Sequence, residues 1–217
     1  STTTLHVTIA AVITKDIDTT VCQNAIPFSW NGINVTGAGD YPYTTTGSSG
    51  CDSTTILHVS LTTIHFVVTD PAGVCAPATV DITNSSVTAG SDAGLIYTYW
   101  NDAVATIPLN NSSAINVSGT YYIKATTTGG CSSVAPVKVT ILALPTASFS
   151  ESVSLCAGTT STLTVALTGT APYQFSYSDG TNNYSISNIG TSIYQLNVSP
   201  TVTTTYTISS VSDATCT

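Results

Sequence analysis

Apolar residues alternate with Ser, Thr and Asn in short runs along most of the chain. Leu57, Val59 and Leu61 recur at every second position, as do Val137, Val139 and Ile141, then Leu163, Val165 and Leu167, then Tyr173, Phe175 and Tyr177, then Tyr194, Leu196 and Val198. A period of two sets alternate side chains on one face of a strand, so these runs predict half-buried β-strands. Val80 with Ile82, Leu95 to Trp100, Tyr121 to Ala125 and Tyr206 with Ile208 extend the same pattern. No run combines a helical period with helix-forming residues, and the chain is expected to be all-β. In Phe28-Ser29-Trp30-Asn31-Gly32-Ile33-Asn34-Val35 the central Asn-Gly predicts a two-residue hairpin. That turn sets Trp30 opposite Ile33 and Phe28 opposite Val35 on one face, and turns Ser29 and Asn34 to solvent.

The strands fall into a repeat marked by six cysteines. Cys22, Cys75 and Cys156 follow turn-rich stretches, whereas Cys51, Cys131 and Cys216 each lie ten residues after a tyrosine, Tyr41, Tyr121 or Tyr206. Six, eight and ten positions past Cys51 stand Leu57, Val59 and Leu61, and the same steps past Cys131 reach Val137, Val139 and Ile141. At the amino terminus, Leu5-His6-Val7-Thr8-Ile9 copies Leu57-His58-Val59-Ser60-Leu61. Residues 1–9 are therefore expected to be the last strand of an upstream or neighbouring domain. Small antiparallel β-sandwiches follow at residues 10–62, 63–142 and 143–217, the third lacking its last strand. One disulfide is expected within each block: Cys22 with Cys51, Cys75 with Cys131 and Cys156 with Cys216, placed at the block's end because the second cysteine falls in the last hairpin loop. The first block is the smallest, so its bridge is expected to matter most.

Composition narrows the function. Only 6% of residues are charged against 42% hydrophobic, but eleven Tyr with many Val and Ile separate the chain from disordered sequences. A net charge of −8 with three Lys and no Arg leaves no basic surface for phosphates, which excludes nucleic acid. The longest apolar runs, Ile9 to Ile13 and Thr140 to Leu144, fall well short of the ~20 residues of a membrane span. An even cysteine count points to an oxidising compartment, and the chain reads as a fragment of a secreted, extracellular protein.

Candidate chemistry is sparse. An enzyme needs a clustered acid, base or nucleophile, and the chain offers three His, one Glu and no Arg, so no catalytic residue is expected. His6 and His58 occupy equivalent solvent-facing strand positions, and His65 sits in an apolar run at an edge or linker. Asp70, Asp92, Asp102, Asp179 and Asp213 stand in turn-like contexts, where a carboxylate accepts backbone hydrogen bonds. Calcium between sandwich domains would use such groups, but no segment has the Asp-x-Asp-x-Asp spacing of a loop site, and no metal or other cofactor is expected. The aromatics lie on apolar strand faces and read as core, Tyr184 least securely. Asn-x-Ser/Thr sequons such as Asn34, Asn84 and Asn197 arise by composition in so Ser- and Thr-rich a chain.

Taken together, Cys22-Gln23 through Trp30-Asn31-Gly32 to Gly50-Cys51, Gly119-Thr120-Tyr121-Tyr122 to Gly130-Cys131, and Leu155-Cys156-Ala157-Gly158 through Ala171-Pro172 to Thr205-Tyr206 resemble the immunoglobulin-like tandem repeats of giant Bacteroidota surface and gliding adhesins exported by the type IX system, the SprB-like adhesins. The resemblance covers almost the whole chain. It implies immunoglobulin-like sandwiches in a stiff spacer, with neighbouring repeats of the same fibre as partners and any extracellular surface or glycan bound by other parts. It also implies O-glycans at Asp18-Thr19-Thr20 and Asp52-Ser53-Thr54, on Thr19 and Ser53. A carbohydrate- or surface-binding module is the alternative, and it requires an exposed aromatic row or a metal site. The two ends also match: reading on from Cys216 through Thr217 to Ser1 places Leu5, Val7 and Ile9 six, eight and ten positions past the cysteine. A cut repeat, a truncated upstream domain and strand exchange between subunits each produce that match, and truncation or a cut requires the least, since any upstream repeat supplies such a strand.

Overall fold

The structure is a computed structural model and describes every residue except Thr8, Ala10, Ser48, Ser49 and Glu151. Residues 10–62 hold β1 (Thr14–Cys22), β2 (Phe28–Trp30), β3 (Ile33–Val35), β4 (Gly39–Thr46) and β5 (Asp52–Thr62). Next come β6 (Val74–Cys75), β7 (Ile96–Trp100), β8 (Gly119–Thr126), β9 (Ser132–Val139) and β10 (Ile141–Leu142). The remainder carries β11 (Thr146–Phe149), β12 (Ser161–Thr168), β13 (Tyr173–Ser178), β14 (Asn183–Ile189), β15 (Ile193–Val198) and β16 (Thr207–Ser212). By contacts the chain forms two compact units. One comprises residues 1–68, 88–108 and 122–136, the other residues 69–87, 109–121 and 137–217.

In the first unit β5 lies between β1 and β4. It runs antiparallel to β4, with Tyr41 opposite Leu57, and parallel to β1, with Ile17 opposite Leu57 and Val21 opposite Leu61. The alternation on β5 buries Leu57 and Val59 with Val35, and Ile17, Val21, Phe28, Trp30, Tyr41 and Leu61 pack around them. The Asn-Gly hairpin has the expected register, Phe28 to Val35, Ser29 to Asn34 and Trp30 to Ile33. Asn31 and Gly32 have φ of 47° and 82°, the positive values a type I′ turn needs. Further along, β7 pairs antiparallel with β8 from Ile96 opposite Thr126 to Trp100 opposite Tyr122.

The second unit holds a sandwich of two three-stranded sheets, β11-β12-β15 and β14-β13-β16. Val165, Leu167, Leu196 and Val198 from the first sheet share one core with Tyr173, Phe175, Tyr177 and Ile189 from the second. All but Ile189 are alternate positions read from the sequence; Ile189 belongs to β14, which with β11 is poorer in apolar residues and was not legible there. Also in this unit, β6 pairs parallel with β10, Val74 opposite Ile141 and Cys75 opposite Leu142.

Three tyrosine hydroxyls reach back four residues. Tyr41 donates to the Gly37 carbonyl at 3.0 Å, Tyr121 to Val117 at 3.0 Å and Tyr173 to Gly169 at 2.9 Å. At Tyr41 and Tyr121, each ten residues before a cysteine, this is the tyrosine corner of immunoglobulin-like sandwiches; Tyr173 makes the same bond at the start of β13. The architecture is all-β, a tandem of immunoglobulin-like antiparallel β-sandwiches.

The cysteine partners differ from those expected. Cys22 is bonded to Cys131 and Cys75 to Cys216. Register explains why the local pairs do not form. Cys22 lies opposite Thr62, the last residue of β5, whereas Cys51 immediately precedes its first, Asp52. An eleven-residue strand spans ~35 Å, far beyond the ~7 Å limit on Cα separation in a disulfide. Cys75 likewise lies opposite Leu142, at the far end of the strand segment that follows Cys131. Cys156 is exposed and outside both bridges, so its expected bond to Cys216 is also replaced.

Candidate functional site

The five turn aspartates act through the backbone. Asp70 accepts from the Lys138 amide and Asp92 from that of His65. Asp102 accepts from Thr106 and Ile107, and Asp179 from Thr181 and Asn182. Asp213 gathers the amides of Thr170, Thr215 and Cys216 at 2.6 to 2.8 Å. Those donors hold its carboxyl down at a pKa of about 2. The turn also needs Gly169, whose φ is +119° and where a Cβ would collide with the Asp213 carboxylate. Among the described residues no group of three His, Cys, Asp or Glu side chains is placed to hold a metal ion.

His58 is half-buried, its Nδ1 2.6 Å from Asp40 Oδ1 and its Nε2 3.6 Å from Asp16 Oδ1. The hydrogen bond to Asp40 raises its pKa above the ordinary histidine value. This site follows from strand pairing, since Asp16 and Asp40 stand opposite Ile56 and His58 on either side of β5. His65 is exposed.

Tyr184 is 41% exposed and is the exposed aromatic among the described residues. It stacks on Tyr177 with ring centroids 5.0 Å apart and donates to Asp179 at 3.0 Å. One such ring falls short of the aromatic row that a glycan platform uses. Of the two glycosylation candidates, Thr19 lies in β1 on the same face as Ile17 and Val21, opposite Val59, and Ser53 donates to the Ile13 carbonyl at 3.1 Å. Both side chains are half-buried.

A groove of about 720 Å³ lies on the sandwich formed by β11 to β16. One wall is residues 152–155, the other residues 203–206 leading into β16, and Phe149, Leu163 and Val198 form the floor. Among the described residues, no lining residue is charged. β16 is the edge strand of its sheet, with β13 on its other side. Val153 and Leu155 alternate in Ser152-Val153-Ser154-Leu155, a run too short to be singled out in the sequence.

No family model and no curated protein matches the chain. Solved structures similar to it include an I-band fragment of titin, 16% identical over 70% of this chain with a TM-score of 0.31; the chain spans 59% of that fragment. Extracellular domains 3–5 of Drosophila OTK are 16% identical, covering 76% of this chain and 71% of theirs, at a TM-score of 0.31. Immunoglobulin domains 1–4 of Sidekick-1 are 12% identical, covering 89% and 73%, at 0.32. Scores this low bear on neither fold nor function, and the fold rests on the strand pairing described above.

Proposed function

We propose that the chain is part of the structural repeat region of a secreted cell-surface adhesin or surface filament, a stiff spacer without enzymatic activity, in blocks at residues 10–62, 63–142 and 143–217. The observation that carries this reading is the pairing of Cys22 with Cys131 and of Cys75 with Cys216. Each bond joins the first cysteine of one block to the second cysteine of the next, so successive blocks are tied together covalently. Each closes a loop of more than 100 residues, for which the chain-entropy account gives about 4 to 5 kcal/mol. Bonds of this kind persist in oxidising, extracellular surroundings. The adhesin type supplied by the sequence resemblance, with O-glycans on Thr19 and Ser53 in the native host, belongs to the same proposal. Intact-mass analysis of native material tests the glycans, and unmodified Thr19 and Ser53 would remove them.

Single-molecule stretching tests the spacer. The shortest covalent path from Ser1 to Thr217 runs along the chain to Cys75 and crosses to Cys216. That path is roughly 77 residues, or ~270 Å fully extended, against ~760 Å for the reduced chain. The oxidised chain is expected to stop near the shorter length and to lengthen on reduction. Extension of the oxidised chain to the reduced length would overturn the spacer reading.

A further inference from the structure

At one end of the sandwich formed by β11 to β16, three tyrosine rings lie side by side across one sheet. Tyr177 on β13 is in register with Tyr184 on β14 and stacks on it at 5.0 Å. On its other side the Tyr206 ring, which immediately precedes β16, lies 6.4 Å away. Tyr177 is only 8% exposed, yet its hydroxyl has no hydrogen-bond partner among the described residues. A buried hydroxyl left unpaired carries the cost of its desolvation, so what it faces matters. Tyr177 lines a pocket of about 490 Å³ between the β13–β14 hairpin and the connection from β15 to β16. Among the described residues no side-chain oxygen or nitrogen is both sealed from solvent and unpartnered, so the hydroxyl opens into that pocket. Burial raises its pKa above the ordinary tyrosine value, which keeps it a neutral donor. Both walls are continuous chain, and Tyr184 lies on the strand of its sheet farthest from β16.

Asp179 is the charged group of the lining among the described residues. Its Oδ1 accepts from the amides of Asn182 at 2.7 Å and Thr181 at 2.9 Å, and its Oδ2 from the Tyr184 hydroxyl at 3.0 Å. The two amides hold its pKa below the ordinary carboxylate value, and Oδ2 keeps a lone pair for a further donor. Tyr184 offers ring surface in an orientation fixed by Asp179 at its hydroxyl and by Tyr177 on one face. Neutral hydrogen-bonding groups, Asn182 and Asn197 among them, make up much of the remaining lining. Such a set suits a ligand with one apolar face and several hydroxyls. A pyranose has both: C–H groups to pack on Tyr184, and hydroxyls for Tyr177, Asp179 and the asparagines. An organic cation would use the ring and the carboxylate but leave the Tyr177 hydroxyl and the asparagines idle. A flat glycan platform needs a row of exposed rings, whereas a pocket for one sugar unit needs one ring and converging polar groups.

We propose that this pocket binds a single neutral pyranose unit of a glycan, packed on Tyr184 and hydrogen-bonded to Tyr177 and Asp179. This goes beyond the spacer reading, in which any glycan is bound by other parts, and it does not rest on that reading.

NMR titration of the full isotope-labelled chain with the methyl glycosides of glucose, galactose, mannose and N-acetylglucosamine tests the site. At least one is expected to shift the Thr181 and Asn182 amides saturably, with a dissociation constant on the order of millimolar. Tyr184→Ala is expected to weaken that glycoside roughly tenfold, and Tyr177→Phe about fivefold. Because the Tyr177 hydroxyl has no partner among the described residues, Tyr177→Phe is expected to leave the denaturant midpoint unchanged, which separates a ligand contact from a structural one. Tetramethylammonium serves as the probe for a cation site. The proposal would be overturned if no glycoside shifted those amides saturably up to about 100 mM. It would equally be overturned by binding that either substitution leaves unchanged, or by tetramethylammonium binding there more tightly than every glycoside.

Discussion

Cys22 ends β1 directly opposite Thr62, the last residue of β5. Its sulfur therefore leaves the sheet at the end of β5 remote from Cys51, where the bridge to Cys131 is made. Replacing Cys22 or Cys131 with Ser is expected to lower unfolding stability by about 2 to 5 kcal/mol, measured in denaturant under oxidising conditions. Cys156→Ser, at an exposed position outside both bridges, is expected to stay within about 0.5 kcal/mol of the parent. Local pairing within blocks would make Cys156→Ser as damaging as the others.

Three tyrosines make the same four-residue reach, two of them at equivalent positions before a cysteine. Tyr41→Phe, Tyr121→Phe and Tyr173→Phe each delete one hydroxyl that donates to the carbonyl four residues back. Each loss is expected to be about 0.5 to 1.5 kcal/mol by chemical denaturation. Changes near zero at all three would mean that water replaces the corner bond without loss.

Much of this framework was legible in the sequence, for reasons that differ from place to place. The Asn31-Gly32 hairpin is local, and turn chemistry alone fixed its register. The alternating runs of β5, β12, β13 and β15 each bury one face, which makes the period visible. The aspartates accept backbone hydrogen bonds in turns, as their contexts implied. What stayed hidden was long-range pairing. β1 carries Ile17, Thr19 and Val21 on its inner face, an interrupted alternation, and nothing local announces that it runs parallel to a strand 40 residues later. Without that pairing Cys22 and Cys51 look like neighbours, and the groove between residues 152–155 and β16 has no signature at all.

Asp213 gives the fold an acid limb. Its folded pKa is about 2, below the ordinary carboxylate value near ~3.9, so the stability it contributes is present above that ordinary value and lost as pH falls through about 2. Asp213→Asn is expected to flatten stability against pH between those values, by denaturant midpoints across that window. Gly169→Ala, which sets a Cβ against the same carboxylate at positive φ, is expected to cost more than about 1 kcal/mol. An acid limb unchanged by Asp213→Asn would assign the effect to another group.

His58 titrates with the opposite sign. Its folded pKa is raised by Asp40 and Asp16, so its contribution is fully present below the unfolded value near ~6.5 and lost as pH rises through the folded one. An NMR titration is expected to place the His58 ring above the ordinary histidine value of ~6.5 and to bring it down in Asp40→Asn. A His58 midpoint that Asp40→Asn leaves unmoved would remove the assignment.

The account depends most on how the cysteines are paired, and non-reducing peptide mapping reads that directly. Protein digested at low pH with thiols blocked is expected to yield one peptide pair joining Cys22 to Cys131 and another joining Cys75 to Cys216, with Cys156 carrying the blocking group. Peptides joining Cys22 to Cys51 or Cys75 to Cys131 would contradict the covalent linkage of successive sandwiches, and with it the spacer built on that linkage.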